Sequence, residues 1–357
     1  MALTIRDVAK RAMVSVGSVS NVLNDRESVK PSVRARVEKA IQELDYQPNR
    51  RGQILARNAT PVLSFVLSNR DLYDPFHSRI LEGVSKQCED SGYFVLFSKL
   101  HYAATDASSR LLLPAAIRSN GIAECAILAG VNYGNLVELL KERNIAHVQF
   151  GNNLVSEQVH EAFDQVRFDD VGAARNATRY LIELGHEAIW YIGDISFPWF
   201  ERRYQGYLLA MNEAGIQPRA QTTSISDDRF INGFRWASNI VKEKQPITAI
   251  FAGTDEVAYG CWECLQQLSI SVPEQVSLIG FDDQRGPYKG LGLTTVRVEA
   301  EAIGIELAKM AIEKIKSAKR QVPEVLVATQ LIKRGTCHAP PPGARSRHQP
   351  RARAVPR

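Results

Sequence analysis

The sequence predicts an α/β protein, with a small all-helical head in front of a two-lobed body built on doubly wound parallel sheets. Three observations carry this expectation. Apolar residues recur at helical spacing through residues 1–47 without a strand-like run. From Pro61 onward, short continuous apolar runs alternate with amphipathic helical stretches, the pattern of buried parallel strands in repeated βα units. Those runs fall into two sets, and a chain of 357 residues is long enough for two or three domains.

Charge separates the same parts. Residues 1–60 hold 11 basic and 6 acidic side chains, and residues 339–357 hold five Arg and no acid, so the overall +5 conceals a net acidic middle. A basic head on an acidic body suggests a head that binds a polyanion and a body that does something else. With 45% hydrophobic and 23% charged residues, the chain is neither wholly disordered nor fibrous. No run approaches a membrane span, and MALTIRDVAKRA has Arg6 and Asp7 where a signal peptide would hold its apolar segment, so a cytoplasmic location is expected. The five scattered cysteines form no disulfide framework. Cys261 and Cys264 make a CxxC in a helical pattern, with no second pair and no nearby His, and read as buried thiols rather than a metal or redox site.

In the head, Ile5, Val8, Ala9 and Ala12 place one short helix at about 4–12. Ser15 suits the N-cap of a second, and Val14 before it can staple onto Val19. With Val19, Val22 and Leu23 turned inward, Val16, Gly17, Ser18, Ser20 and Asn21 face outward, short and nearly uncharged. A third helix runs from about Pro31 to Leu44, with Val33, Val37, Ala40, Ile41 and Leu44 as its apolar stripe and Pro31 suited to the first turn. This is the outline of a helix-turn-helix, whose second helix enters the major groove of DNA. Periodicity alone also fits a three-helix cap on a larger enzyme.

The residues themselves shift that balance. TIRDVAKRAMVSVGSVSNVLN, then RARVEKAIQELDYQPN, resembles the head of the LacI/GalR family of bacterial transcription regulators. The matching positions are Thr4, Asp7, Val8, Ala9, Ala12, Val14, Ser15, Val19, Ser20, Val22, Leu23, Asn24, Arg36, Val37, Leu44, Tyr46, Pro48 and Asn49. The resemblance implies base reading by Val16, Gly17 and Asn21, and phosphate contacts from Thr4, Ser15, Ser18, Ser20 and Asn49. Asn21 can offer a base edge both a donor and an acceptor, whereas Val16 offers only an apolar contact and Gly17 almost nothing. Shape and hinge contacts should therefore carry more of the specificity. Two residues depart from the family pattern: Met13 stands where Gly is usual in the turn, and Lys30 where a Ser N-cap is frequent. NRRGQILARNATP resembles the family's hinge, with Leu55 as the wedge inserted in the minor groove. Arg50, Arg51 and Arg57 would attract phosphate, and Gln53 and Ala56 belong to the same DNA-contacting segment. Gly52 replaces a common Ala at about 1 kcal/mol of helix propensity, so Gly52→Ala should tighten operator binding.

The body's apolar runs are VLSFVL, YFVLFS, CAILAG and AHVQFG, then AIWYIGD, ITAIFAG and VSLIGFDD. The expected division is a helix-turn-helix domain at 1–47, a hinge at 48–60, lobe one at about 61–162 plus 290–318, lobe two at about 163–289 plus 319–338, and a disordered basic tail at 339–357. Such sheets bind ligands outside the carboxyl ends of their strands, which puts the site in the cleft between lobes. DPFHSRILEGV, FDDVGAARNATRYLIELGH, RRYQGYLLAMNEAGI, ITAIFAGTDEVAYG and VPEQVSLIGFDD extend the resemblance, to a periplasmic sugar-binding fold used as a sensor, over residues 3 to about 335. It implies that Arg203 and Asp282 contact the effector, unless they form a structural ion pair. The loop Asp74, Pro75 and Phe76 would join them, with Asn152, and with Thr254 and Asp255, where Thr254 replaces a frequent Asn. Phe197, Trp199 and Phe230 can stack on a sugar face or serve as core.

The resulting expectation is a dimeric repressor on a palindromic operator, controlled by a carbohydrate effector; a sugar acid, sugar phosphate or purine is the alternative ligand. A transport-type binding protein would share the body but not the head. No nucleophile elbow, P-loop, GxGxxG after a first strand, or His/Glu metal set occurs. The acid pairs Asp169, Asp170 and Asp282, Asp283 suit hydroxyl binding better than catalysis, and His101 and His186 stand alone. No enzyme activity, cofactor, metal or membrane partner is expected, and the protein would associate with the nucleoid only when bound to DNA.

Overall fold

Thr4 opens the first helix by donating from its backbone N and its Oγ1 to the Asp7 carboxylate, at 2.8 and 2.7 Å. In the computed structural model, which describes residues 4–23, 29–46, 61–71, 74–118, 121–155, 162–226, 228–284, 292–317 and 321–342, the chain divides into two units between Pro61 and Val62. The expected hinge and most of the tail lie outside the described residues. So do Asn49, Arg50, Arg51, Gln53, Leu55, Ala56 and Arg57.

The first unit holds α1 (Ile5–Ala12), α2 (Val16–Leu23) and α3 (Pro31–Leu44). α1 stops at Met13, which takes the left-handed conformation at φ +49°. Ser15 caps α2, its Oγ accepting from Ser18 N at 3.1 Å. Lys30 supplies no side-chain cap to α3, yet Pro31 occupies its first turn and the helix forms. Val8, Ala9, Ala12, Val19, Val22, Val37, Ala40 and Tyr46 make the core, and an Arg11–Glu43 ion pair ties α1 to α3 outside it.

The second unit contains two six-stranded sheets. The first is ordered β11-β5-β4-β3-β1-β2, with β1 (Val62–Ser68), β2 (Phe94–Leu100), β3 (Cys125–Gly130), β4 (His147–Phe150), β5 (Gln165–Arg167) and β11 (Val325–Leu326), all parallel. The second is ordered β12-β10-β9-β8-β6-β7. It comprises β6 (Ile189–Ile192), β7 (Arg219–Gln221), β8 (Ala249–Ala252), β9 (Ser277–Asp282), β10 (Thr294–Val298) and the antiparallel β12 (Thr329–Ile332). In each sheet the first strand lies between the second and third. The order therefore reverses beside β1 and again beside β6, and ligands of open α/β sheets gather outside strand ends at such points.

Among the described residues, seven helices cover these sheets: α4 (Pro75–Ser91), α5 (Gly134–Glu142), α6 (Asp170–Glu183), α7 (Pro198–Glu213), α8 (Arg229–Lys242), α9 (Asp255–Gln267) and α10 (Ala300–Ser317). Glycine sets how closely they pack. A Cβ on Gly83 of α4 would lie 2.0 Å from Glu301 O of α10, and one on Gly304 of α10 would lie 2.0 Å from Ile80 O of α4. Gly233 and Gly260 make the same reciprocal approach between α8 and α9. All five cysteines are buried and free, as expected for Cys261 and Cys264.

The lobe boundaries differ from expectation by several residues. β5, placed in lobe two by the sequence, hydrogen-bonds to β4 in the first sheet. β10, placed in lobe one, pairs with β9 in the second. β11 belongs to the first sheet, whereas all of 319–338 was expected in the second. The chain crosses between lobes after Arg167, after Val298 and again between Leu326 and Thr329. Strand partnership decides membership, and β5 and β11 are only three and two residues long, too short to stand out as apolar runs.

Candidate functional site

In the head, the outward face of α2 carries the expected residues. Val16 and Gly17 are exposed, and Ser18, Ser20 and Asn21 are half-buried. Gly17 has open space, since an added Cβ would meet only Ser15 Oγ, at 3.7 Å. Thr4 and Ser15 are exposed but engaged in capping.

In the body, a small cavity of about 30 Å³ lies at the strand ends, lined from one lobe by Arg70, Asp74, Phe76, His77, Phe150 and Asn153 and from the other by Trp199, Arg203, Arg229, Thr254, Asp282 and Gln284, with Phe168 between them. It has room for about one water molecule. The sequence-expected Asp74, Phe76, Arg203, Thr254 and Asp282 thus converge. So does Trp199, one of the three aromatic candidates.

Arg203 occupies the centre. Projecting from α7, it donates from Nε to Asp170 Oδ1 at 2.9 Å, from Nη1 to Gly253 O at 2.6 Å, and from Nη2 to Asp282 Oδ1 at 3.1 Å. Its guanidinium lies 3.7 Å from the centre of the Phe281 ring. Burial works against its charge, but Asp282 and Asp170 outweigh that and raise its pKa. Burial pushes the Asp282 carboxyl up to about 6, with Arg203 pulling the other way. Asp282 also sits at φ +104°, a conformation disfavoured for any residue but Gly and one found where a site is held under strain. Arg203 and Asp282 therefore form the ion pair, and that pair lines the cleft.

Asp74 caps α4, its Oδ1 accepting from Phe76 N at 3.0 Å and His77 N at 3.3 Å. Burial would raise its pKa, but contacts from His77 and the charge of Arg229 hold it well below the ordinary carboxylate range. Thr254 caps α9 by accepting from Val257 N at 3.3 Å.

Three expected residues do not line the cavity. Asn152 is buried, donating to Phe168 O at 2.9 Å and Asp170 Oδ2 at 2.8 Å, and Asn153 beside it faces the cavity instead. Asp255 spends its two oxygens on Thr295 Oγ1 and Gln284 N, each at 2.6 Å, and burial raises its pKa. Pro75 serves as the first residue of α4. Phe230 also lies away from the cavity lining. Sequence reasoning missed Arg70, His77, Asn153, Arg229 and Gln284. Arg70 lies two residues beyond β1, where the strand-end rule could have found it. Arg229 follows β7, a strand the apolar pattern did not show, so no signal pointed to it.

A hydrogen-bonded bridge joins the lobes through Asp170. Arg202 donates from Nε to Asp170 Oδ2 at 2.9 Å and from Nη2 to Asn152 O at 2.5 Å, and Asp170 also holds Asn152 and Arg203. Arg70 of the first lobe also reaches the Trp199 ring of the second, at 5.2 Å.

Comparison with known proteins matches this construction. Residues 4–49 match the family described as bacterial regulatory proteins, lacI family, and residues 178–337 match the periplasmic binding protein-like domain. The transcriptional repressor PurR of Erwinia tasmaniensis is 30% identical over 93% of this chain and 96% of its own. The chain belongs to the lacI family of bacterial regulatory proteins. Another member, the repressor CytR of Escherichia coli K12, is 28% identical over 95% of this chain and 98% of its own. Among solved structures, the complex of the transcriptional regulator CelR with cellobiose superposes with a TM-score of 0.67 at 25% identity, over 94% of this chain and 99% of that one. The lac repressor dimer bound to operator and the anti-inducer ONPF gives 0.68 at 22% identity over 95% and 100%, a likeness of fold. This lacI-family chain is thus a DNA-binding transcriptional regulator with a sensor body. Among its described residues no helix is long and apolar enough to cross a membrane.

Proposed function

We propose that this regulator is a cytoplasmic repressor that binds a palindromic operator as a homodimer, through α2 in the major groove and the 48–60 segment in the minor groove, and that a small molecule in the interlobe cleft controls its affinity. One observation carries the reading: a helix-turn-helix head and a cleft ringed by convergent polar strand-end residues occur on one chain. Base reading falls to Val16, Gly17 and Asn21, with Thr4, Ser15, Ser18, Ser20, Asn49 and Arg50 on phosphates and Gln53, Leu55 and Ala56 in the minor groove.

The protein acts by binding rather than by catalysis. Its acid pairs are used structurally: Asp169 caps α6 by accepting from Gly172 N at 2.8 Å, and Asp283 pairs with Arg297 and Arg334 at 2.7 and 2.6 Å. The dimer face is assigned to β2, the edge strand of the first sheet, where Phe94, Leu96 and Phe97 are 41, 37 and 39% exposed. An apolar edge strand of this kind invites a partner.

The test is a mobility shift on a palindromic operator recovered by selection from random DNA. The full chain should bind it with an affinity that falls steeply with salt. A chain lacking residues 1–61 should lose DNA while keeping ligand. Salt-insensitive binding, or binding by the truncated chain, would refute the reading.

A further inference from the structure

Beyond the small cavity lies a larger one, of about 490 Å³, in the second lobe. Arg70 and Arg229 line both. The polar part of the larger cavity's lining includes Asp194, Ser196, Ser224 and Ser226, and Phe197 in the lining stacks on Trp199 with ring centres 4.8 Å apart. Asp194 spends one carboxylate oxygen on Ser196 N at 3.0 Å, leaving the other to accept from a ligand hydroxyl. A pocket of this size, with aromatic faces and a few fixed polar groups, suits a ligand of one to two sugar rings.

The charges at the junction are unevenly paired. Arg203 is neutralised by Asp170 and Asp282, and Asp74 is engaged by His77 and the start of α4. The two remaining guanidiniums crowd the same indole: Arg70 lies 5.2 Å and Arg229 6.0 Å from the Trp199 ring centre. Arg229 has Glu256 at 3.5 Å, but Arg70 has no carboxylate partner among the described residues, and its buried Nε makes no hydrogen bond. Burial, then the charge of Arg229, lowers the Arg70 pKa to about 10, although the charges of Asp74 and Glu256 act the other way. A buried donor without an acceptor beside a second cation is costly, and an anion between the two would relieve both terms. Paired guanidinium forks match the oxygens of a carboxylate or phosphate.

We propose that the effector is an anionic carbohydrate, a sugar bearing a carboxylate or phosphate, whose acid group sits between Arg70 and Arg229 while its hydroxylated body fills the second-lobe cavity. The proposal rests on the cleft being the effector site of this regulator. Arg203 then shapes the site and the strand ends, and charge recognition belongs to the two arginines that no carboxylate fully neutralises.

The experiment measures thermal shift of the full chain at constant ionic strength with glucose, glucuronate, glucose 6-phosphate, inorganic phosphate and hypoxanthine, alongside Arg70→Met, Arg229→Met and the charge-retaining Arg229→Lys. Glucuronate or glucose 6-phosphate should raise Tm where glucose does not, and which of the two acts identifies the acid. Each Met variant should weaken that ligand at least tenfold, and Arg229→Lys, which keeps the charge and loses the fork, should weaken it less than Arg229→Met does. Unliganded Tm and operator binding of each variant establish that it folds. A response to glucose or hypoxanthine that survives both Met substitutions would overturn the anion while leaving the regulator intact. Stabilisation by the acids that persists in the Met variants, or no response to any probe in a chain that binds operator, also overturns it. Failure to bind operator at all counts against the regulator reading instead.

Discussion

At the scale of single residues, Met13 and Asp282 are among the non-glycine positions held at positive φ. Met13 ends α1 at φ +49° with its side chain 82% exposed, so the left-handed conformation is not offset by packing. Met13→Gly should stabilise the head by about 0.5–1 kcal/mol, part of the relief being lost to glycine's freer unfolded chain. Hydrogen-exchange protection of the α1 and α2 amides in the full chain would register it, and unchanged protection would contradict it. Asp282 holds its proton to about pH 6 in the fold, against 3.8 for the ordinary carboxyl. Across that window the folded state binds more protons than the unfolded, so this residue's contribution to stability falls as pH rises. Asp282→Asn cannot titrate and tolerates positive φ. Its Tm should therefore fall less than the wild type's between pH 4 and pH 6, and parallel curves would remove the assignment. Arg203 and Asp282 were legible from their places in RRYQG and GFDD. Asn152 was misread for its neighbour Asn153, because a sequence does not say which of two adjacent amides turns toward a cavity.

At the scale of elements, helix packing rests on glycines that propensity alone would count as defects. Gly→Ala in a helix interior ordinarily gains about 1 kcal/mol. Gly304→Ala would instead place a methyl 2.0 Å from Ile80 O, and prying α10 from α4 should cost more than that gain, for a net loss of about 1–3 kcal/mol. A lowered Tm in thermal unfolding would show it; a raised Tm would mean the helices part easily. Gly17, with room around it in α2, should accept Ala without such a penalty to folding. Helix boundaries in the head were legible because caps and apolar periodicity are local: Ser15 and Pro31 each stand at the start they mark. Short strands were not, since β7 and β11 have three and two residues and owe their form to a neighbour already in the sheet. Missing β7 hid the loop after it, and Arg229 with it.

At the scale of the whole molecule, the proposed mode of binding needs a partner copy to present two heads to a palindrome, and the proposal places their contact at the exposed β2 edge. Phe97→Glu should shift the protein from dimer to monomer in sedimentation and weaken operator binding at least tenfold, without abolishing effector-induced thermal shift. A variant that remains dimeric would move the interface elsewhere. The sequence by itself determined the helical head, the alternation of buried strands and helices, and the family, because periodicity, capping and motif spacing are written in consecutive residues. Only the tertiary structure decided which sheet each short strand joins, where the chain crosses between lobes, and that Arg203 is neutralised while Arg70 lacks a carboxylate partner among the described residues. Those outcomes depend on contacts between residues far apart in the chain, such as Arg70 with Trp199 or Arg203 with Asp282. Strand pairing and charge compensation come into being only when such distant residues are brought together.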